Sequence, residues 1–514
     1  MMRFQLRFFT AVCAAACLAA GWLQADIRLP QILSDHMVLQ RGAPIRVWGW
    51  ADAGERVTVL FAGQRVVTEA GQEGDWQAFL HPMTAGGPYE MTVAGSNRIV
   101  LRDVLVGEVW IGSGQSNMVW PVSRSDNPEK EIDSADYPRL RLFKVERKVA
   151  DEPLQDVDGN WQAAKPESVA DFSGVGYFFG RELHREMGVP FGVVQTAWGG
   201  TPAQAWTSRG ALKADPSLQP VYDIWDEVLA DFPAARKKHE RALQDWEQAA
   251  AQAKAAGQEA PRRPRAPRGP GHPHSPSGLY NAMIAPLTPF AIRGAIWYQG
   301  ENNASRSQGY LYRDLFPAMI EDWRRAWGQG PFPFLFVQLA NYRRVPEKHE
   351  WPELREAQAM TLGLRNTGMA VTIDIGDSED IHPANKQDVG RRLALAARSV
   401  AYGREVVHSG PSYRQLTREG RNIRLWFDSL GGGLQAAGGG NLSGFVIAGP
   451  DREFHQAGAY IDGDTVVVWS PKVKTPVAVR YGWRADPQAT LFNRSGLPAS
   501  PFRTDEWRDA VMPE

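Results

Sequence analysis

At 514 residues the chain is long enough for several domains. Its composition, 43% hydrophobic and 22% charged, excludes wholesale disorder and collagen-like repetition. Its 57 Lys and Arg nearly balance its 58 Asp and Glu, which argues against a nucleic-acid or membrane-surface partner, since either usually leaves a basic excess. The 19 tryptophans are mostly expected in cores, with some left to stack on sugar rings.

The first 25 residues read as a secretory signal peptide. Arg3 and Arg7 precede a mainly apolar run from Phe8 to Trp22, too short to span a bilayer comfortably, and Leu23-Gln24-Ala25 places a small residue at a cleavage point. The pattern predicts export to the periplasm or beyond, with no membrane insertion after signal removal. Both cysteines, Cys13 and Cys17, lie inside it. The mature chain from Asp26 would therefore have no disulfide, zinc-thiolate site or cysteine nucleophile. Cys17 as a lipidation site is the lesser reading, because it sits deep in the apolar run.

Residues 26–103 read as a small β-sandwich. Ile45–Trp50 and Val57–Phe61 alternate in part, and Ala85-Gly86-Gly87-Pro88 supplies a turn signal. From 104 to 403 the pattern becomes α/β. Val104–Ile111, Phe191–Val194, Gly294–Trp297, Phe334–Val337 and Met369–Ile373 are continuous apolar strands, and helical patterns lie between them, at Val175–Leu183, Tyr310–Trp327 and Pro352–Leu364. Such alternation indicates a parallel sheet covered on both faces, with ligands at the carboxyl ends of its strands. An insertion at about 216–276 interrupts this domain. It has a polar helical part over Asp226–Gly257 and an Arg/Pro-rich part over Pro261–Pro276, read as a flexible exposed linker. His272 and His274 could suggest a metal or polyanion site there, but a solvated loop is the favoured reading because further ligands are lacking. After a helix over Asp388–Tyr402, residues 404–514 return to β character, with strands at Ile423–Phe427, Gly444–Ile447, Thr465–Trp469 and Val477–Tyr481.

A hydrolytic serine needs a sharp strand exit, a nearby base and donors for an oxyanion. Ser116 follows the Val104–Ile111 strand in Gly112-Ser113-Gly114-Gln115-Ser116-Asn117-Met118. Met118 distinguishes this turn from the Gly-x-Ser-x-Gly elbow. His382 lies in Asp374-Ile375-Gly376-Asp377-Ser378-Glu379-Asp380-Ile381-His382-Pro383, after the last apolar strand. Acids just before it can hold an imidazole by its Nδ1–H, or can simply favour the start of the next helix. Two further exits, Thr196–Pro202 with Trp198, Gly199 and Gly200, and Trp297–Asn303 with Tyr298, Gln299, Glu301 and Asn302, offer backbone and side-chain amides. Four polar, glycine-containing exits on one sheet edge exceed what turns alone require.

Ser113-Gly114-Gln115-Ser116-Asn117-Met118, Trp297-Tyr298-Gln299-Gly300-Glu301-Asn302 and Asp380-Ile381-His382-Pro383-Ala384-Asn385-Lys386 resemble the signature blocks of the sialate O-acetylesterase family. The resemblance runs from about Val104 to Gly403. The flanking β modules, including Gly496–Arg503, are also similar to family members. It implies an SGNH-hydrolase-like (flavodoxin-like) three-layer parallel sheet with all-β modules at both ends, and an acetylesterase related to hemicellulose esterases. It further implies Ser116 as nucleophile and His382 as general base. The oxyanion would be held by the Ser116 N–H, Gly199 or Gly200, and the Gln299 side chain. Asp380 is the favoured partner of His382, with Glu379 and a backbone carbonyl as alternatives. Gln115, Asn117, Trp198, Tyr298, Glu301 and Asn302 would contact substrate. No metal or organic cofactor is implied.

The expected substrate is an acetylated carbohydrate. A sialate carboxylate would call for Arg343 and Arg344. Neutral xylan or xyloglucan oligosaccharides, slightly favoured, would call for ring platforms at Trp120, Trp198, Trp206 and Tyr298. Two other classes are weighed: a sugar-binding protein on an inactive scaffold, and a glycoside hydrolase using Glu301 and Asp380. Neither needs Ser116 and His382 together. The sequence leaves oligomeric state open.

Overall fold

The computed structural model describes residues 26–304, 308–345, 350–508 and 510–513. The signal-peptide reading, with Cys13 and Cys17, lies outside the described residues.

A mixed sheet organises the middle of the chain. Its strands lie in the order Thr367–Ala370, Phe334–Val337, Gly294–Tyr298, Arg98–Gly114, Phe191–Ala197, Tyr137–Lys144, Trp161–Ala164. The first six pair in parallel, and Trp161–Ala164 joins the edge antiparallel. Strands buried on both faces need apolar residues at every position, hence the unbroken runs. Ala295, Trp297, Phe334 and Phe336 join one core with the helix Tyr312–Trp327 and with Trp351 and Leu354. Ile296, Tyr298, Leu335 and Val337 join the other core with the helices Gly174–Met187 and Lys386–Val400. Adjacent residues of one strand thus point into different cores, as the two-residue period of a strand requires.

The strand Arg98–Gly114 is unusually long and crosses the boundary expected at 103/104. Its first part pairs antiparallel with Gly86–Ala94 and parallel with Val38–Gln40 in the N-terminal β region. Its last part pairs with Phe191–Ala197 on one side and Gly294–Tyr298 on the other. The chain leaves this strand toward one half of the sheet and later builds the other half beyond it. Its carboxyl end is therefore the point where strand order reverses, where open α/β sheets form their ligand crevice.

The helical part of the insertion is Gln219–Ala255, starting earlier than the sequence pattern suggests. The Arg/Pro-rich stretch after it is not a free linker. Trp246 Nε1 donates to Pro261 O at 2.7 Å, and Gly269 packs so closely on the Phe232 ring that no Cβ would fit. The stretch is laid back along its helix.

The C-terminal β region has two four-stranded sheets, one with Ile423, Leu425, Val466 and Val468, the other with Phe445, Ile447, Val479 and Tyr481, closing on one core. Arg355, fully buried, joins this region to the α/β sheet. It donates to the carbonyls of Leu339 and Ala340 on one side and of Arg484 and Ala485 on the other, at 2.7–2.9 Å. No helix among the described residues is long and apolar enough to cross a membrane.

Candidate active site

The turn after Gly114 carries Ser116 at the start of a one-turn helix, Ser116–Val119. Gly114 has φ +135°, and a Cβ there would lie 2.2 Å from Tyr298 O, so only glycine allows the neighbouring strand to close on this turn. Gln115 N donates to Tyr298 O at 3.0 Å and seals the exit. Ser116 is half-buried. Gly199 lies beside it, the position of an added Cβ being 3.4 Å from Ser116 Cβ, and Asn302 Nδ2 fixes the Gly199–Gly200 turn by donating to Gly200 O at 2.8 Å. Among the described residues, no backbone carbonyl accepts the N–H of Ser116 or Gly199.

Although 266 positions separate Ser116 from His382, their segments touch. Trp120, capping the Ser116 helix, stacks on the His382 ring with centroids 4.9 Å apart and planes at 12°. Asn117 Nδ2 donates to Ile381 O at 2.9 Å, and Asp126 N donates to Ala384 O at 3.0 Å. Upstream, Arg392 grips Asp374 with two bonds of 2.6 Å, tying the helix after the histidine loop to the segment before it.

Asp380 is the acid beside the imidazole. Its Oδ1 accepts from the His382 backbone N–H at 2.8 Å and lies 3.5 Å from Nδ1, an ion-pair distance rather than a formed hydrogen bond. Glu379 is turned away. Arg344 Nε donates to its Oε2 at 2.8 Å, and Arg343 also pairs with it. Burial pushes the His382 pKa below its ordinary value. Asp380 opposes that shift, while Lys386 and Arg124 add to it.

Several residues expected to meet substrate are committed to the interior. Gln299 is fully buried; its Nε2 donates to Asn303 Oδ1 at 2.7 Å and Thr201 O at 3.2 Å, and its Oε1 accepts from Tyr312 Oη at 2.9 Å. The amide nitrogen, expected to serve the oxyanion, thus faces the Asn303 side chain and the Thr201 carbonyl in this structure. Tyr298 and Trp206 are fully buried and offer no ring face to solvent. Gln115 Oε1 accepts from Asn302 N at 3.2 Å, an internal brace. Asn117 is buried, as is Glu301, whose Oε1 takes the Asn117 Nδ2 hydrogen bond at 2.5 Å. Trp120 and Trp198 remain half-exposed, with the Arg147 guanidinium 5.8 Å from the Trp198 ring centre.

Two structural participants lay inside the sequence segments singled out above but had no role assigned there. Asn303 is fully buried; it accepts from Ala203 N at 2.9 Å and donates to Gln204 Oε1 at 2.9 Å. Lys386, also fully buried, donates to Asn117 Oδ1 at 2.7 Å, and burial pushes its pKa down to about 7 against the pull of Glu301. Among the described residues, no cluster of three or more His, Cys, Asp or Glu is arranged to hold a metal ion.

Known proteins give this arrangement its context. The family model for carbohydrate esterases described as sialic acid-specific acetylesterases matches residues 106–255 and 271–399. The sialate O-acetylesterase of Rattus norvegicus is 34% identical, covering 92% of this chain and 94% of its own length. That of Mus musculus is 33% identical over the same shares. The crystal structure of a carbohydrate acetylesterase from Xanthomonas citri superposes with a TM-score of 0.81 at 41% identity, covering 94% of this chain and all of that one. With the family model spanning more than half of the chain and these relatives most of it, the protein belongs to the sialate O-acetylesterase family of carbohydrate esterases and is an esterase.

Proposed function

We propose that this esterase removes acetyl groups from sugar hydroxyls by two-step acyl transfer, with Ser116 as nucleophile, His382 as general base and Asp380 as the acid that orients it. The observation that carries this reading is the contact between the Ser116 helix and the His382 loop, through the Trp120–His382 stack and the Asn117–Ile381 hydrogen bond. His382 Nε2 takes the Ser116 Oγ proton as Oγ attacks the acetyl carbonyl carbon. The carbonyl π electrons move to oxygen, and the oxyanion is met by the N–H groups of Ser116 and of Gly199 or Gly200. Collapse expels the sugar oxygen, which takes the proton back from His382. Water, deprotonated by the same imidazole, then attacks the acetyl-serine and frees acetate and Ser116. Asp380 stabilises the imidazolium formed in each step. The fold that carries this chemistry is the SGNH-hydrolase-like (flavodoxin-like) three-layer arrangement, and residues 1–25 export the enzyme.

The alternatives fit less well. A glycoside hydrolase needs two carboxylates facing a sugar, but Glu301 is buried beneath Asn117 and Lys386. An inactive sugar binder gives the His382–Asp380 arrangement no task.

For substrate, we propose a neutral acetylated hemicellulose oligosaccharide of the xyloglucan or xylan type. Trp120 and Trp198 lie next to His382 and Gly199 and are only half-buried, while one of the two charges of Arg343 and Arg344 is offset by Glu379. A second reading, 9-O-acetylated sialic acid, is favoured by those same two guanidinium groups, which stay largely exposed where they meet Glu379, three residues before the histidine, and carry one positive charge in excess of it. Hydrolysis of both substrates by the wild type and by Ser116→Ala tests the proposal. Acetate release from the neutral oligosaccharide should dominate, and Ser116→Ala should lose at least about 10⁴-fold in kcat. Full activity in Ser116→Ala would refute the mechanism; preference for the sialate would refute the substrate assignment alone.

A further inference from the structure

We propose that Lys386 is a positioning residue for the reaction: with Glu301 as its buried counter-charge, it fixes the Asn117 amide that holds the Ser116 turn and the His382 loop in register. This rests on the reading of Ser116 and His382 given above and adds to it a part that no contact with substrate would reveal.

The cation occupies an unusual place. Lys386 is the first residue of the helix Lys386–Val400, where a lysine would ordinarily reach into water, yet it is fully buried. Its Nζ has no acceptor role to play, so the atom facing it at 2.7 Å must be the Asn117 oxygen. That fixes the other end of the amide. Asn117 Nδ2 then faces two acceptors, Glu301 Oε1 at 2.5 Å and Ile381 O at 2.9 Å. Turning the amide over would aim its hydrogens at an ammonium and its oxygen at a carboxylate and a carbonyl. The two charges therefore reinforce the one orientation that the neutral Ile381 carbonyl alone would favour more weakly.

The consequence falls on the two residues that do the chemistry. Asn117 follows Ser116 in the chain, and Ile381 precedes His382. The hydrogen bond between them ties the nucleophile turn to the base loop, with Lys386 holding the oxygen of the Asn117 amide and Glu301 sharing its nitrogen. The Lys386 ammonium also lies 5.9 Å from the ring centre of Trp120 and 5.4 Å from that of Tyr298, and Trp120 is the ring stacked on His382. Among the described residues, Glu301 Oε2 has no hydrogen-bond partner. Burial raises the Glu301 pKa, opposed by the Asn117 hydrogen bond, by the backbone N–H groups of Glu301 and Gly300, and by Lys386.

The charged groups around this core are few. Asp380, Lys386 and Arg124 act on His382; Glu301, Asp380 and Asp126 act on Lys386. Lys386 lowers the imidazole pKa, so its removal should move the acidic limb of kcat/KM to higher pH.

The test is the full-length double variant Lys386→Met/Glu301→Gln, which removes both charges together and leaves neither buried alone. It should unfold at nearly the wild-type temperature. It should also show kcat on a chromogenic acetyl ester reduced about 10²-fold with KM within about twofold, an acidic limb at higher pH, and slower labelling of Ser116 by a fluorophosphonate. A folded double variant with wild-type kcat and labelling rate overturns the inference. Should that variant not fold, Lys386→Gln, which keeps an N–H donor without the charge, serves instead. It should retain part of the lost kcat and show the shifted limb, and wild-type kcat with an unshifted limb overturns the inference equally. Absence of fluorophosphonate labelling in the wild type overturns the Ser116 reading and this inference with it. Wild-type labelling abolished in Ser116→Ala, combined with undiminished labelling of the double variant, overturns this inference alone.

Discussion

Trp120 lies flat on His382, with ring centroids 4.9 Å apart and planes inclined by 12°. The indole is carried by the residue that caps the short helix beginning at Ser116, so the ring that confines the imidazole is tied to the nucleophile turn. Its Nε1–H donates to Arg124 O at 2.8 Å, which holds the indole in place. Trp120→Ala should leave the fold intact and free the imidazole to rotate, lowering kcat about tenfold to 10²-fold. Steady-state kinetics beside a thermal unfolding curve separates this loss from a loss of folded protein.

The acid limb of kcat/KM should lie below the ordinary histidine value of about 6.5. The base must be neutral to accept the Ser116 proton. Burial is the largest effect on His382 and favours the neutral form, while Asp380 favours the charged form. Asp380→Asn removes the opposing effect, so it should lower kcat and shift the limb to still lower pH. A shift toward higher pH would contradict the placement of Asp380 beside the imidazole.

Gly114→Ala should disable the enzyme without touching a reacting atom. The new methyl would meet Tyr298 O at 2.2 Å, and φ +135° is costly for any residue with a Cβ. The strands on either side of the exit must separate or the turn must rotate. We expect kcat to fall at least about 10²-fold together with a lower unfolding temperature. Wild-type kinetics in this variant would show that the exit tolerates displacement.

Arg355→Met should destabilise the chain by about 3–5 kcal/mol, the range for removing one member of a buried polar network. Four backbone carbonyls, those of Leu339, Ala340, Arg484 and Ala485, would lose their donor. Urea unfolding reads the effect as a lower midpoint. An unchanged midpoint would mean that the α/β sheet and the C-terminal β region are joined by other contacts.

The strand exits were legible in the sequence because chemistry and punctuation coincide there. Apolar runs end in Gly-Ser-Gly, Trp-Gly-Gly and Tyr-Gln-Gly, and these segments cluster at one sheet edge. The facing of side chains was not legible. Gly294–Tyr298 is buried at every position, so its pattern gives no sign of which residues look into the crevice, and Tyr298 joins a core. The long strand Arg98–Gly114 hid its continuity because the pattern changes at Val104, just after the charged pair Arg102-Asp103. Asp103 in fact adopts a positive φ within the strand and its carboxylate receives Arg141 Nη1 at 2.7 Å. Lys386 stands in the sequence only as the last residue of the Asp380–Lys386 block. A lysine beginning a helix reads as solvated, and only Asn117 and Glu301, brought from far away in sequence, make it internal. The Arg/Pro-rich stretch had the composition of a linker, but Trp246 and Phe232 give it a surface to lie on.

The most direct measurement is a rapid-quench experiment on the wild-type enzyme with an activated acetyl ester, followed by peptide mapping. We expect one acetyl group on the peptide containing Ser116, formed within the first turnover and absent from Ser116→Ala. An acetyl group on any other residue, or a first turnover that releases acetate with no acetylated peptide, would contradict the account.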